Sequence, residues 1–433
     1  MASCTSDIEE TTATTGKNNI QLVVGEFPAF GDSQTRAIGT LDPGKTSWAK
    51  GDELLLEMTS KTLGAKYAAF TYNGSSWELA SGELSYKEDE VPTFPHVYYA
   101  PNYKWEAGTL VLKEGKVAGT DEYIEGTANI TPNGQAITVE FSKATRNYSR
   151  LRIATMPNKP ITVTIDRYTP AGSSDMKWDQ NYALTSDEKG NAYLYGIFEN
   201  NSEVTVKYRE AALTTHKFSK KTEKAKSYAL DATVISANSA EEIKSAIEQK
   251  VADGKTTIRL NLAPNAGTDE FMAIREAIKG AAPNDEGTIE LTIIGVETIP
   301  EEAFKRMSQL KSVKMPDVKE IKKYAFSECQ YLTVVEAPSL NKLNSGAFNE
   351  CYLLSKLTFG PINYADERNW PIFEYITPNI DLILSDYQKE MIETDSYLYT
   401  ANNDRDYAGS DEHNSKNFLG REFKSITCRY PVE

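Results

Sequence analysis

The chain has 433 residues, enough for two or three domains that each bury an adequate apolar core. It carries 47 Lys and Arg against 62 Asp and Glu, a net charge of −15, which argues against the basic stripe that a nucleic-acid partner requires. No run of about 18 apolar residues reads as a membrane-spanning helix. Cys4, Cys329, Cys351 and Cys428 are too few for a disulfide scaffold.

In chain order, the opening MASCTSDIEETTATTGKNN is polar, acidic and Thr-rich, the composition of a disordered tether. Its Ala2-Ser3-Cys4 triplet resembles the end of a bacterial lipoprotein signal, in which the cysteine becomes the lipidated first residue. The charged and apolar parts of such a signal do not precede it, so either the sequence is trimmed or Cys4 is incidental. Ile20 to Val24 is a short apolar strand, followed by a turn-rich stretch that ends in Ser33-Gln34-Thr35-Arg36-Ala37. Trp48-Ala49-Lys50-Gly51-Asp52 is then a turn that feeds a second strand, Glu53 to Leu56.

That order (Cys4, tether, strand, Arg36-Ala37, Trp-x-x-Gly-Asp turn) resembles the fimbrillin family, the type V pilins of anaerobic bacteria. The resemblance covers residues 1 to about 232, and beyond residue 60 it rests on the general β-rich pattern. It implies a lipid-anchored outer-membrane precursor with Cys4 as lipidation site, and proteolysis between Arg36 and Ala37. It also implies assembly with other pilin subunits by strand exchange, a form of β-augmentation.

From 60 to 232, short strands between turn signals read as a sandwich. The candidates are 67–72, 77–79, 97–99, 109–112, 137–141, 151–155, 161–165, 192–198 and 204–208. Thr131-Pro132-Asn133-Gly134 marks a subdomain break near 131–136. Residues 216–233 begin as the most basic stretch of the chain and read as a solvated loop leading into a last strand.

At Ser239 the period changes. Ser239-Ala-Glu-Glu242 is a capping box that opens an amphipathic helix with Ile243, Ala246, Ile247 and Val251 on one side, closed by Gly254. A strand 256–262, a helix 268–281 and a strand 288–294 follow, the looser spacing of a capping repeat.

From Thr298 to Asn363 three copies of one sequence follow at a period of 22. Ile299, Ile321 and Leu343 fall in register, as do Ala303-Phe304, Ala325-Phe326 and Ala347-Phe348. Leu310, Leu332 and Leu354 coincide, and so do Val313, Val335 and Leu357. A fixed period with locked apolar residues marks solenoid coils that bury their apolar face only by stacking, so the three phenylalanines should form one buried column. The Ile-x-x-x-Ala-Phe opening followed by Leu resembles the leucine-rich repeats of the BspA-like kind. Gly360 replaces Pro316 and Pro338 of the earlier copies, which suggests that the stack ends there. Cys329 and Cys351 share the repeat position of Met307. A buried apolar site explains all three, and a disulfide between coils would need Cα atoms near ~5.5 Å.

After Asn363 the order decays into a strand 380–384, a short helix 386–392 and a closing strand 423–428. Residues 393–416 form an acidic insertion expected to be dispensable for folding. Its Asp404, Asp406, Asp411, Glu412 and His413 do not have the spacing of a calcium loop, and an unliganded acidic loop is the simpler reading. His96, His216 and His413 lie far apart, and neither Cys-x-x-Cys nor a phosphate loop occurs. No enzyme, cofactor or metal site is expected.

The sequence therefore reads as a mixed chain. Residues 1–36 are a tether and removable first strand, 37–232 an all-β fimbrillin-like sandwich region of two subdomains, and 233–433 an α/β leucine-rich repeat solenoid with caps. Together they suggest a cell-surface adhesin at a pilus tip, with the repeats binding a host surface or matrix protein or glycan. A lipid-anchored surface protein that binds without pilus assembly is the alternative, and a glycan hydrolase built on acidic residues is the reading from another class.

Overall fold

The computed structural model describes residues 21–30, 44–87, 90–131, 136–142, 146–208, 211–237, 239–366, 371–388, 417–419 and 421–429. The chain divides into two compact units, one of Met1–Lys207 with Thr214–Ala232 and one of Tyr208–Leu213 with Thr233–Glu433.

The first unit holds two seven-stranded sheets. The first is built from β1 (Gln21–Val24), β2 (Glu53–Ser60), β3 (Gly64–Tyr72), β4 (Trp77–Gly82), β5 (Thr93–Tyr99), β8 (Ile124–Ile130) and β9 (Ala136–Phe141), in the order β1-β9-β8-β5-β2-β3-β4. Between β5 and β8, β6 (Tyr103–Glu106) and β7 (Thr109–Leu112) form a separate hairpin. The sheet curls until its outer strands β1 and β4 approach each other, barrel-like.

The leucine run of β2 follows from its central place. Leu54, Leu56 and Met58 point into the main core, while Leu55 joins Ala69, Tyr98 and Tyr103 on the opposite face. The turn before β2 is held by Asp52, whose carboxylate accepts the Ala49 N–H at 2.7 Å and the Lys45 ammonium at 2.6 Å. Gly51 there has φ +94°, where a side chain would strain the backbone. Trp48 packs edge-on against Phe27, Tyr99 and Trp77, with centroids 4.9, 5.2 and 5.3 Å away.

The second sheet contains β10 (Ser149–Ala154), β11 (Pro160–Pro170), β12 (Lys177–Thr185), β13 (Asn191–Phe198), β14 (Glu203–Tyr208), β15 (Ala211–Lys217) and β16 (Ser227–Asp231). Its order is β15-β14-β11-β13-β10-β16, with β12 branching from β11. Tyr168 lies fully buried and donates to the Tyr195 carbonyl at 2.5 Å. Residue 196 must be glycine, because a β-carbon would overlap the Tyr168 ring and the Thr169 carbonyl.

The second unit opens with β17 (Ile235–Ser236), α1 (Ala240–Ala252), β18 (Thr257–Asn261), α2 (Thr268–Ala281) and β19 (Ile289–Ile294). Ser239 caps α1 by accepting the Glu242 N–H at 3.2 Å, and Gly254 beyond its end has φ +72°. Coils follow, each giving one strand to a small sheet and one to a large sheet. They hold β20 (Thr298–Ile299) and β21 (Leu310–Lys314), β22 (Glu320–Ile321) and β23 (Val334–Ala337), β24 (Lys342–Leu343) and β25 (Lys356–Phe359), then β26 (Tyr364–Ala365) and β27 (Asp381–Ser385). The hairpin β28 (Asn417–Phe418) and β29 (Arg421–Glu422) precedes β30 (Ser425–Arg429). The large sheet is parallel throughout, in the order β17-β18-β19-β21-β23-β25-β27-β30.

The 22-residue period is visible directly in the register, where Val313 faces Val335 and Val335 faces Leu357. The turns stack by the same step, since Phe304 N–H donates to the Ala325 carbonyl at 2.8 Å and Phe326 N–H to the Ala347 carbonyl at 2.9 Å. Phe304, Phe326 and Phe348 form the expected column, unexposed, with centroids 5.2 and 5.5 Å apart. The column is longer than the three copies: Phe271 of α2 packs edge-on against Phe304 at 5.7 Å, and Phe373 stacks on Phe348 at 5.7 Å.

The stack therefore does not end at Gly360. A β-carbon there would overlap the Pro338 and Leu340 carbonyls, so the glycine allows close coil contact, and a further coil follows. The helix expected over 386–392 is a 3-10 turn over Asp386–Gln388, and its remainder lies outside the described residues. Cys329 and Cys351 are buried free thiols, their sulfurs 3.0 Å from the Phe304 and Phe326 carbonyls.

Candidate functional site

Three surfaces have a claim. The first is the edge of the first sheet, where β1 runs parallel to β9 with Gln21, Leu22, Val23 and Val24 opposite Ala136, Ile137, Thr138 and Val139. Its residues alternate as a half-buried strand should: Leu22 is in the core, whereas Val23 is 46% exposed. β1 is the edge strand of its sheet. The chain after it buries Phe27, Pro28 and Phe30. Cys4, Arg36 and Ala37 lie outside the described residues, as does the acidic stretch 393–416 with Asp404, Asp406, Asp411, Glu412 and His413.

The second surface is the outer face of the large parallel sheet. Side chains opposite the core form two rows across the strands: Ser312, Val334, Lys356, Asp381 and Ser425, then Lys314, Glu336, Thr358, Ile383 and Thr427. Opposite charges are paired across coils, Lys314 with Glu336 at 3.4 Å and Lys311 with Glu290 at 2.8 Å. The Ser425 hydroxyl at 2.6 Å, together with Lys424, holds the Asp381 carboxyl below the usual range. The small sheet behaves alike. There Glu320 is pushed up by burial, but the Lys342 and Asn344 hydrogen bonds outweigh this and hold it low.

The third surface is the turn edge of the later coils, where Tyr352, Leu353 and Tyr375 are 40, 50 and 57% exposed. Arg306, Glu328, Glu350 and Tyr375 all adopt positive φ on this edge, at matching points of successive coils. Tyr352 donates to Glu350 at 3.0 Å. Grouped exposed aromatics rimmed by carboxylates suit an anchor for a binding partner better than the charge-paired sheet does.

The remaining sequence candidates disperse. His96 stacks on Tyr98 and accepts or donates at 2.9 Å through Nδ1, while His216 packs against Phe218, its pKa lowered by burial. In the basic stretch, Lys221 pairs with Glu199 at 2.7 Å and Lys224 reaches Asn147 at 3.3 Å, as a solvated loop would. No cluster of metal-binding side chains occurs among the described residues. No helix among the described residues is long and apolar enough to cross a membrane.

The fold thus defines a mostly β chain with a leucine-rich repeat solenoid at its C-terminal end. Residues 288–394 match the family described as BspA type Leucine rich repeat region, in six copies. This extends the regular repeats beyond the three read from the sequence. No curated protein matches the chain. Among solved structures it is similar to a point mutant of the shaft pilin SpaA of Lactobacillus rhamnosus GG, at 12% identity over 42% of this chain and 93% of that one. The TM-score of 0.16 is too low to carry an argument about fold or function.

Proposed function

We propose that this protein is a cell-surface adhesin, assembled at a pilus tip by proteolysis and strand exchange, with the repeat unit as its binding module. The observation that carries the reading is β1, a four-residue edge strand laid parallel on β9 and joined to the rest of its sheet through the stretch that contains Arg36. Removal of that strand would bare the β9 edge and the core slot under Leu22, a state tolerable only when another strand fills them. The BspA-type repeats support the binding role, and Tyr352, Leu353 and Tyr375 are the residues most suited to anchor a host protein or glycan. The second reading, a surface protein held by lipid on Cys4 without pilus assembly, rests on the Ala-Ser-Cys triplet.

Mass spectrometry of the mature surface form separates the two. An N-terminus at Ala37 supports the pilin, and a diacylated Cys4 supports the anchored protein. Under the pilin reading, Arg36→Ala stays with the membrane and is missing from pili; normal incorporation of that variant would overturn it.

A further inference from the structure

The six residues after β1, 25–30, are held by more than apolar packing. The Phe30 ring lies against two guanidinium groups, that of Arg146 at 4.1 Å and that of Arg150 at 4.8 Å from its centroid. Arg146 also donates to both carboxylate oxygens of Glu122, each at 3.2 Å, and to the Pro28 carbonyl. Its side chain has no exposure and that of Glu122 is 6% exposed, so the ion pair is buried. Burial works against the Arg146 charge, but the Glu122 carboxylate outweighs it and the guanidinium is held cationic. Tyr148 donates to Glu122 and packs edge-on near Phe30, with ring centroids 6.3 Å apart. Arg150 donates to the Ser227 hydroxyl at 3.0 Å and lies 5.6 Å from the Tyr193 ring.

The Phe27 ring also lies against Arg146, its centroid 5.9 Å from the guanidinium, and closes against Trp48 and Tyr99. Gly44, where the described chain resumes, lies so close to Arg150 that a β-carbon would overlap the guanidinium. Phe30 and Gly44 thus both lie at this cluster.

A guanidinium over a ring face gains from the ring quadrupole, and most where water is excluded. Here two such groups converge on one ring while Pro28 supplies the backbone acceptor. We infer that Arg146 and Arg150 form an aromatic clamp, so that the groove beside β9 is a recognition site for an extended segment of set pattern. That pattern is an apolar residue at the place of Leu22 and aromatic residues at the places of Phe27 and Phe30. Its resident is the chain's own 21–30 segment. Its replacement is the extended segment of a second subunit with the same spacing, a statement that rests on the strand-exchange reading above.

The test uses the full chain with a specific protease site inserted between Gln34 and Thr35. After cutting, release of the labelled amino-terminal fragment is followed by size exclusion in excess unlabelled peptide of residues 17–32. Phe30→Ala should release about tenfold faster than wild type, and Phe30→Tyr within about threefold of it. Arg150→Ala should accelerate release of the wild-type fragment but add little to Phe30→Ala, the mark of direct coupling. Arg150→Lys, which keeps the charge, should fall between, and thermal melts of the uncut chains check folding. Equal release of the wild-type and Phe30→Ala fragments, or additive effects of the two substitutions, would overturn the clamp. Because purified protein is used, a clamp that behaves as expected in a chain never found in pili would sink the function proposed above and leave the clamp standing.

Discussion

Replacing Phe326 by alanine removes the middle ring of the solenoid column. The ring is unexposed and covered on both faces, by Phe304 at 5.2 Å and Phe348 at 5.5 Å with near-parallel planes of 18° and 5°. Backbone bonds on either side hold the coils at fixed spacing, Phe304 N–H to Ala325 and Phe326 N–H to Ala347, so the cavity cannot close without breaking the ladder. The cost should fall in the Phe→Ala range of about 3 to 5 kcal/mol. With a urea dependence of about 2 kcal/mol per molar, the unfolding midpoint of the repeat unit should drop by roughly 1.5 to 2.5 M. Urea titration read by hydrogen-exchange mass spectrometry on peptides from residues 288–365 assigns the loss to the repeats rather than to the first unit. Phe326→Leu should recover most of it. A cost under about 1 kcal/mol would refute the argument that neighbouring coils pin the ring's space open.

Gly295→Ala should destabilise the repeat unit by about 1 to 3 kcal/mol in the same titration, because its φ is +92° and a β-carbon would overlap the Leu262 carbonyl. Gly254→Ala, at similar φ with open space around it, should cost less. Burial raises the Cys329 thiol from its ordinary 9.0 to about 12. The unfolded chain loses that proton first, so the stabilisation is complete below pH 9 and is lost as pH rises toward 12. Urea midpoints should thus fall more steeply above pH 9 in wild type than in Cys329→Ala, and parallel slopes would count against it. At pH 8 thiol reagents should leave Cys329 and Cys351 untouched until urea unfolds the coils, which alkylation mapping would reveal.

The repeats were legible because one apolar identity returns at every coil: Ile or Leu, then Ala-Phe, then Leu, then Val or Leu, each locked by the same neighbours. The coil around Phe373 is not legible as a further copy because it lies 25 residues after Phe348, a three-residue slip that breaks the phase while leaving the ring in the column. In the first unit, β12 reads KWDQNYALT and shows mostly exposed side chains, so it carries neither apolar alternation nor a buried run. β8, with Gly126 inside it, is made a strand by pairing with β9 and β5 more than by its own residues. The clamp left no trace in the sequence, since Arg146 and Pro28 are 118 positions apart and only the fold brings them together.

The direction in which β1 lies has a mechanical consequence. β1 and β9 point the same way, so tension that draws the chain's amino end back along β1 while the body of the unit holds the far end of β9 slides the strands lengthwise. The four paired positions are then loaded together, whereas a pull across the sheet would open them one at a time. A short strand on a sheet edge, weak against peeling, thereby resists drag along its own axis for as long as it stays in place.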